Sequence, residues 1–364
     1  MRFAYHNPVA ITAGADSIDA LPGVLAGRSV GLVTFPEAEA LGLVARIRTM
    51  LGDSLRAVED RVEPNPDVRF LAPMYERFWR EHADCDALLA LGGGSAIDTA
   101  KALMVGTASG TFDELIGLLE GGQTFVPHRL KALIAVPTTA GTGSEVTPWA
   151  TIWDRAANKK HSLHLPQTWP EAAIVDPNLM LTLPPSVTLQ SGLDALSHAL
   201  ESIWNVNANP ISDNFAVAAA RAVLSTLPAL MKDLSNRDLR ERMSLAALNA
   251  GLAFSNTKTA LAHSISYEMT LRFGLPHGIA CSFTLPMVLR LAAGVDSGRD
   301  AVLQQIFDDL IDAPSRLSEF LHSIGVQTDF GAYGVAESDS KKMVKSAMQG
   351  VRGRNFIGSA EANL

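Results

Sequence analysis

The segment Asp86–Lys101 reads Asp-Ala-Leu-Leu-Ala-Leu-Gly-Gly-Gly-Ser-Ala-Ile-Asp-Thr-Ala-Lys. Its apolar start predicts a buried strand, and Ser95–Val105 predicts the helix that follows the three glycines. Glycines let a backbone approach a phosphate closely, and the first turn of a helix offers unpaired N–H groups and a favourable dipole. The turn therefore favours binding of a dinucleotide pyrophosphate over a purely structural role, although it lacks the G-x-G-x-x-G pattern.

Strand and helix patterns alternate on both sides of this turn. Arg28–Thr34 and Ala132–Val136 have strand character, whereas Glu37–Leu51 and Val68–Glu81 place apolar residues at helical spacing. This alternation predicts an α/β domain with a parallel sheet that helices cover on both faces.

A second glycine-containing turn follows the strand at Ala132–Val136 and reads Pro137-Thr-Thr-Ala-Gly-Thr-Gly-Ser-Glu-Val146. Its hydroxyls and glycines could wrap a cofactor, or the loop could satisfy its own backbone. Both turns are expected at the carboxyl ends of parallel strands, where open α/β sheets bind ligands. This shared position favours cofactor binding.

The pattern changes near residue 178. From Pro184-Pro185 onward the chain is mainly helical in pattern, without convincing strand alternation. A length of 364 residues accommodates two domains of about 150 residues each. We therefore expect an α/β dinucleotide-binding domain over residues 1–178 and an all-α domain over residues 179–364.

Composition restricts the class of protein. Apolar residues make up 47% of the chain and charged residues 19%, which favours a large core, and the net charge of -8 argues against non-specific nucleic-acid binding. Two cysteines, Cys85 and Cys281, indicate no disulfide framework. No signal peptide and no apolar stretch of the roughly 20 residues that a membrane span needs is recognisable. We expect a cytoplasmic protein without membrane or nucleic-acid partners.

The helical half contains one carboxylate and three imidazoles that could bind a metal. Asp194 and His198 are spaced i, i+4 in Ser191-Gly-Leu-Asp-Ala-Leu-Ser-His198, and His263 and His277 follow later. On a helix, the first two side chains would share a face. Such a set suits iron(II) or zinc and leaves one coordination position open. The spacing alone favours a metal site only slightly over four unrelated residues, because the ligands come from three distant segments.

Five motifs together resemble the iron-containing (group III) alcohol dehydrogenases, of the dehydroquinate-synthase-like superfamily. They span nearly the whole chain, in order: Gly92-Gly-Gly-Ser-Ala-Ile-Asp98 with Lys101, Pro137-Thr-Thr-Ala-Gly-Thr-Gly-Ser-Glu145, Gly192-Leu-Asp-Ala-Leu-Ser-His-Ala-Leu-Glu201, Gly251-Leu-Ala-Phe-Ser-Asn256 and Pro276-His-Gly278. The resemblance implies a dehydroquinate synthase-like fold, with a dinucleotide-binding α/β domain and a helical domain that holds the metal. It also implies a homodimer or a larger homo-oligomer.

The resemblance assigns roles position by position. The metal ligands are expected to be Asp194, His198, His263 and His277. The expected cofactor contacts are Gly92, Gly93, Gly94, Ser95, Asp98, Thr138, Thr139, Thr142, Ser144, Val146 and Lys160. The implied chemistry is hydride transfer between NAD(P)H and an aldehyde carbon, with a divalent metal, iron(II) before zinc(II), acting as a Lewis acid.

Two positions depart from the family pattern. Tyr267 stands where many members have a second histidine that is often assigned to proton relay, so Tyr267 either relays a proton or shapes the pocket. The segment after the second strand reads Val33-Thr-Phe-Pro-Glu37 and lacks the Asp that NAD-selective relatives often carry there. NADPH use is therefore plausible, but Glu37 could partly replace that Asp, and the preference stays open.

Lys258 lies five residues before His263. A lysine that faces the site would attract an anionic substrate, whereas the alternative is a solvated surface charge. The segments Asn256-Thr-Lys-Thr, His263-Ser-Ile-Ser-Tyr267 and Cys281-Ser-Phe-Thr-Leu-Pro286 also resemble the phosphonoacetaldehyde reductase (hydroxyethylphosphonate dehydrogenase) branch.

The leading expectation is thus reversible reduction of phosphonoacetaldehyde to 2-hydroxyethylphosphonate. The alternatives are a maleylacetate reductase, a glycerol or other short-chain alcohol dehydrogenase, a dehydroquinate synthase-type lyase and a non-catalytic nucleotide-binding protein.

Overall fold

A six-stranded parallel sheet forms the centre of the first of two units into which the chain divides. The computed structural model describes residues 2–122, 124–157 and 159–359. The first unit comprises Pro8–Thr139 and Ser144–Met180, and the second comprises Ala140–Gly143, the chain from Leu181 onward and the residues up to Asn7.

The strands of the first unit, in chain order, are β1 (Ala10–Ala13), β2 (Val30–Thr34), β3 (Leu55–Glu59), β4 (Ala87–Gly92), β5 (Val105–Gly106), β6 (Arg129–Leu130), β7 (Ala132–Pro137), β8 (Trp149–Asp154), β9 (Lys159–His164) and β10 (Ala172–Val175). The main sheet has the order β1-β10-β7-β4-β2-β3, while β5 pairs with β6 and β8 pairs with β9 in two antiparallel ribbons. The helices of this unit are α1 (Leu21–Leu25), α2 (Leu43–Leu51), α3 (Val68–Glu81), α4 (Gly94–Met104) and α5 (Phe112–Glu120).

Alternate residues of the central strand β4 enter two different hydrophobic clusters. Leu88 and Ala90 pack in the cluster that contains α3, α4 and α5, whereas Leu89 and Leu91 pack in the cluster that contains α1 and α2. The parallel sheet is therefore covered on both faces, and the predicted α/β class of this half is confirmed.

The second unit is helical. Its helices are α6 (Pro185–Ile203), α7 (Pro210–Leu230), α8 (Arg237–Thr257), α9 (Leu261–Phe273), α10 (His277–Ser282), α11 (Leu285–Ala292), α12 (Ser297–Phe307), α13 (Ala313–Ser323) and α14 (Glu337–Gln349). From Gly192 to Ile203 every residue of α6 is buried, so this helix lies at the centre of its unit. Within the part of the chain that the structure describes, no helix is long and apolar enough to span a membrane.

Some elements differ from the sequence predictions. The helix expected from Glu37 begins only at Leu43, because Gly42 adopts a left-handed φ of 72° at its N-cap. The ribbon β8–β9 was not predicted, since β9 reads Lys-Lys-His-Ser-Leu-His and buries only His161 and Leu163.

Candidate metal and cofactor site

Helix α6 presents three acidic or imidazole side chains on one face. Asp194, His198 and Glu201 follow each other at spacings of four and three residues, which place side chains over one another on a helix. All three are buried, with at most 5% of each residue exposed. The imidazole of His198 stacks on the ring of Phe254 in α8, with ring centroids 4.0 Å apart. The orientation of His198 is therefore fixed by packing.

Helices α9 and α10 bring His263 and His277 to this face of α6. A Cβ atom added at Gly278 would lie 2.0 Å from the carbonyl oxygen of Gln190 in α6. Only glycine lets α10 begin this close to α6, and His277 is the first residue of α10. The Pro-His-Gly motif thus has a packing reason for its glycine.

The four predicted metal ligands meet at one carboxylate oxygen. Asp194 Oδ1 lies 3.3 Å from His263 Nε2, 3.7 Å from His198 Nε2 and 3.7 Å from His277 Nε2. Ligand atoms about 3.4 Å apart are what a tetrahedral ion with bonds of about 2.1 Å requires. His263 Nε2 is buried and makes no hydrogen bond to any residue that the structure describes. The set therefore fits a divalent metal.

Glu201 holds His263 from the opposite side of the ring. Its Oε2 accepts a hydrogen bond from His263 Nδ1 at 2.6 Å and from the backbone N–H of Ala260 at 3.0 Å, while Oε1 accepts from the backbone N–H of His263 at 3.1 Å. These bonds place the proton on Nδ1 and leave Nε2 for a metal. The sequence analysis quoted Glu201 in a motif without giving it a role, although its position seven residues after Asp194 marks the same helix face.

The imidazoles of His198 and His263 differ in charge at neutral pH. Burial lowers the pKa of His198 to about 4, so its ring is neutral and can coordinate a metal. Burial also acts to lower the pKa of His263, but the carboxylates of Glu201 and Asp194 outweigh it and raise this pKa to about 9. A metal that binds Nε2 of His263 must therefore displace a proton at neutral pH.

In the first unit, the turn Gly92–Ser95 lies beside Thr138 and Thr139, which begin the second glycine-containing turn. Strands β4 and β7 are paired up to Gly92 and Pro137, and the N–H of Thr138 donates to the carbonyl oxygen of Gly92 at 3.0 Å. The turn Gly92–Ser95 leads directly into α4. Thr138 and Thr139 therefore lie beside the N-terminus of α4, which offers N–H groups to a phosphate.

Other expected cofactor residues bond to each other. Ser144 Oγ donates to Asp98 Oδ1 at 2.6 Å, and Asp98 Oδ2 accepts the N–H of Thr151 at 2.8 Å. The buried Lys101 donates to the carbonyl oxygen and hydroxyl of Ser144 at 2.6 and 2.9 Å, and to the carbonyl oxygen of Trp149 at 2.7 Å. These bonds fasten residues 144–151 to α4. Lys101 is a further residue whose role the sequence analysis missed.

The remaining expected cofactor contacts are dispersed. Val146 is fully buried, and Lys160 in β9 lies with its ammonium 5.3 Å from the ring centroid of Trp153. Thr142 belongs to the second unit, where Gly143 adopts a φ of 60° and packs on α8: an added Cβ would lie 2.5 Å from Gly251 Cα.

Both halves of the chain match sequence models of one enzyme family. Residues 8–177 match the model described as iron-containing alcohol dehydrogenase, and residues 188–362 match the C-terminal model of the Fe-containing alcohol dehydrogenase family. The NAD-dependent methanol dehydrogenase of Bacillus methanolicus is 32% identical over 306 residues, which cover 81% of this chain and 78% of the relative. The chain belongs to the iron-containing alcohol dehydrogenase family.

Two further proteins are similar to this dehydrogenase over most of its length. The 1,3-propanediol dehydrogenase of Citrobacter freundii is 30% identical over 340 residues, or 90% of this chain and 86% of the relative. The crystal structure of sulfoacetaldehyde reductase from Bifidobacterium kashiwanohense in complex with NAD+ superposes with a TM-score of 0.90 at 29% identity, covering 99% and 96% of the two chains. This dehydrogenase is accordingly an alcohol and aldehyde oxidoreductase that uses a nicotinamide cofactor and a divalent metal.

Cys281 of the dehydrogenase lies beside the metal set. Its Sγ is 3.5 Å from Asp194 Oδ1, and by mutual distance it groups with Asp194, His263 and His277. Burial raises the pKa of the Cys281 thiol well above its ordinary value, so the sulfur keeps its proton and donates to the carboxylate. His198, whose imidazole is neutral and whose Nε2 lies 3.7 Å from Asp194 Oδ1, remains the proposed fourth ligand of the set.

The two residues expected to act on substrate lie in different environments. Tyr267, one turn after His263 in α9, is half-buried, and burial raises its pKa to about 12. Lys258 is exposed and ends α8 with a φ of 68°, a value that is uncommon outside glycine. Its carbonyl oxygen accepts a hydrogen bond from Asn205 Nδ2 at 3.0 Å, which helps to hold this backbone conformation.

Proposed function

We propose that this dehydrogenase reduces a small aldehyde bearing an oxyanionic group to the primary alcohol, reversibly, with NAD(P)H as the hydride donor. The observation that carries the proposal is the set of Asp194, His198, His263 and His277 around one carboxylate oxygen, of which the first three residues are buried. Phosphonoacetaldehyde, which would give 2-hydroxyethylphosphonate, is the leading substrate. Sulfoacetaldehyde is the second candidate, because a reductase of that aldehyde superposes over nearly the whole chain.

In this proposal the four side chains of the set hold the divalent ion. The bound ion supplies Lewis-acid stabilisation of the negative charge that develops on the carbonyl oxygen during reduction. Glu201 keeps the His263 ring in the orientation that binding needs. Tyr267 keeps its phenolic proton through the physiological pH range, so it serves as a neutral hydrogen-bond donor or shapes the pocket, and it does not act as a titrating base.

In the first unit, the cofactor is assigned to the turn Gly92–Ser95 and to Thr138 and Thr139. The turn Gly92–Ser95 and the N-terminus of α4 would receive the pyrophosphate, with Thr138 and Thr139 beside it. Asp98 and Ser144 would act mainly by fixing the loop that follows, since their side chains bond to each other. Thr142, Val146 and Lys160 remain proposed contacts, and the exposed Glu37 leaves NADH and NADPH both open.

A neutral short-chain alcohol is the rival substrate class. Two relatives, at 32% and 30% identity, are named for methanol and for 1,3-propanediol respectively, and neither of these alcohols carries a charge. In favour of the anionic class are the exposed cation Lys258, five residues before His263, and the sulfoacetaldehyde reductase neighbour. A neutral alcohol gives a lysine nothing to pair with, so charge is the property that discriminates the two classes.

The test is oxidation of NADPH and NADH by metal-free protein reloaded with iron(II) or zinc. The panel contains phosphonoacetaldehyde, sulfoacetaldehyde, butyraldehyde, glycolaldehyde and maleylacetate. Metal-dependent turnover of the phosphonate or sulfonate well above that of butyraldehyde is expected. Preference for butyraldehyde or glycolaldehyde would keep the dehydrogenase and discard the anionic substrate, and preference for maleylacetate would move the enzyme to the maleylacetate reductases.

A further inference from the structure

Arg352 lies next to Tyr267, outside all the motifs that the sequence analysis singled out. Its Nε donates to Thr259 Oγ1 at 3.0 Å, and its guanidinium carbon lies 4.8 Å from the centroid of the Tyr267 ring. The side chain is half-buried, whereas the neighbouring Arg354 is exposed. Arg352 is therefore held in one place by a hydrogen bond and by stacking on an aromatic face.

The segment that carries Arg352 is fastened to the rest of its unit. Asn355 Nδ2 donates to the carbonyl oxygen of Thr259 at 2.8 Å, and the carbonyl oxygen of Asn355 accepts the N–H of Val206 at 2.8 Å. The N–H of Ile357 donates to the carbonyl oxygen of Trp204 at 3.3 Å. A cation on such a segment is positioned before any ligand arrives, which lowers the entropic cost of binding.

The charge of Arg352 is not neutralised within the described part of the chain. Two other arginines that are largely buried have several partners: Arg299 makes two hydrogen bonds to the carboxylate of Asp213, and Arg240 donates to three oxygen atoms. For Arg352, in contrast, the structure shows the single bond from Nε and no carboxylate within ion-pair distance. The terminal N–H groups of a half-buried guanidinium are suited to an oxyanion, which accepts two of them at once.

Arg352 is also close to the metal set. Tyr267 follows His263 by one turn of α9, a rise of about 6 Å on the same helix face. Thr259 immediately precedes Ala260, whose N–H donates to Glu201. A two-carbon aldehyde with a terminal phosphonate or sulfonate spans about 5 Å from its carbonyl oxygen to the oxyanion, by ordinary bond lengths. An aldehyde held at the metal set can thus extend toward the Tyr267 side.

We propose that Arg352, with the Thr259 hydroxyl that it orients, forms the subsite for the oxyanionic group of the substrate. Arg352 donates its terminal N–H groups to two oxygens of the phosphonate or sulfonate. Thr259 accepts from Nε and donates its own hydrogen to the oxyanion. This inference rests on the proposed function and makes Arg352, more than the exposed Lys258, the residue that determines substrate class.

The kinetic test compares Arg352→Gln and Arg352→Lys with the matched control Arg354→Gln. Arg352→Gln is expected to lower kcat/KM for phosphonoacetaldehyde or sulfoacetaldehyde about 10- to 100-fold, chiefly through KM, since a charge-assisted hydrogen bond is lost. Turnover of butyraldehyde should stay nearly unchanged, Arg352→Lys should be intermediate, and Arg354→Gln should match the parent enzyme. Equal losses for charged and neutral aldehydes would overturn the subsite, because they would mean that Arg352 only supports the fold.

A binding measurement separates this inference from the proposed substrate. The probe is ethylphosphonate, which cannot be reduced, titrated calorimetrically into zinc-loaded enzyme with NAD+ bound. The parent should bind it, and Arg352→Gln should bind it at least about tenfold more weakly. Absence of binding to the parent, or equal binding by both proteins, refutes the subsite. If Arg352→Gln melts at a much lower temperature than the parent, the same titration is made with Arg352→Lys. Weaker binding of ethylphosphonate by this variant supports the subsite, and binding equal to that of the parent refutes it. Failure of the parent to reduce any oxyanionic aldehyde while ethylphosphonate binding depends on Arg352 would discard the substrate class and keep the anion site.

Discussion

At the scale of single residues, Glu201 shows how a side chain outside the metal set can control it. The carboxylate accepts three hydrogen bonds from α9 and its N-terminus, one of them from His263 Nδ1. Such partners of metal-binding histidines set the ring orientation and the basicity of the coordinating nitrogen.

We expect Glu201→Gln to weaken metal binding about 10- to 100-fold, because an amide oxygen accepts the hydrogen bond from His263 Nδ1 more weakly than a carboxylate and so leaves the coordinating Nε2 less basic and the ring less firmly oriented. Zinc affinity measured by competition with a chromophoric chelator checks this, with the exposed Glu319→Gln as control. Unchanged affinity in Glu201→Gln would show that His263 is oriented by packing alone.

Glu145 allows a test of how burial changes the pKa of a carboxyl group and thereby the stability of the protein. Burial raises its pKa from 4.5 to about 7, and Lys101 nearby only partly offsets this. Because the folded protein prefers the protonated form, the stabilisation is complete below pH 4.5 and is lost as the pH rises to about 7. Glu145→Gln should therefore gain stability relative to the parent between pH 5 and pH 8, by up to about 3 kcal/mol.

Melting temperatures of the Glu145→Gln variant and the parent, measured at pH 5 and pH 8 without metal, give the comparison. The difference between the two proteins should be more favourable to the variant at pH 8. An identical difference at both pH values would mean that Glu145 is ionised in the folded state across this range.

At the scale of secondary structure, the start of α10 depends on one glycine. A Cβ at Gly278 would meet the carbonyl oxygen of Gln190 at 2.0 Å, so α10 would have to move away from α6 and take His277 with it. We expect Gly278→Ala to weaken zinc binding by more than about tenfold, because a displaced ligand is lost from the set.

Gly117 in α5 is the matched control for this variant. An added Cβ there meets nothing within 4 Å, and the residue lies inside a helix. Gly117→Ala should be neutral or stabilising by about 0.5–1 kcal/mol and leave metal affinity unchanged. Calorimetric zinc titration and thermal melting of both variants provide the readout, and full zinc affinity in Gly278→Ala would contradict the packing argument.

The sequence predicted elements well where a periodic apolar pattern decided them. The helix over Val68–Glu81 occurs with those bounds, and its apolar side chains fill one face of the sheet. The sequence did not predict the edge strand β1 or the ribbon β8–β9, because β1 is exposed throughout and β9 is mostly polar. Such strands form because a neighbouring strand offers backbone partners, and that information lies elsewhere in the chain.

The candidate site could be predicted only in part, because local spacing reveals a shared helix face but not the contacts between distant segments. The spacing of Asp194 and His198 on one helix already predicts a shared face. The approach of His263 and His277 follows only from how α9 and α10 pack on α6, and from the resemblance that motifs provide. Arg352 could not be foreseen, because its contacts to Thr259 and Tyr267 join positions 93 and 85 residues apart in the chain (352 − 259 and 352 − 267).

At the scale of the whole molecule, the metal ion and the nicotinamide cofactor are assigned to different units. The proposed metal set lies within the second unit, on α6, α9 and α10, and the turn proposed to bind the pyrophosphate lies within the first, between β4 and α4. A ligand that binds only the folded state stabilises it by RT ln(1 + [L]/Kd), or about 4 kcal/mol at a thousandfold excess over Kd. The local effect of each ligand should be greatest on the elements that it touches.

We therefore expect zinc to slow amide hydrogen exchange in peptides from α6, α9 and α10, and NADH to slow it in peptides that cover Gly92–Ser95 and Thr138–Thr139. Mass spectrometry of the metal-free protein, with each ligand added separately, measures both effects. His263→Ala is the control, since it should abolish the protection by zinc and leave the protection by NADH intact. Protection of the Gly92–Ser95 turn by zinc alone, with no change in α6, would refute the assignment of the metal to the second unit.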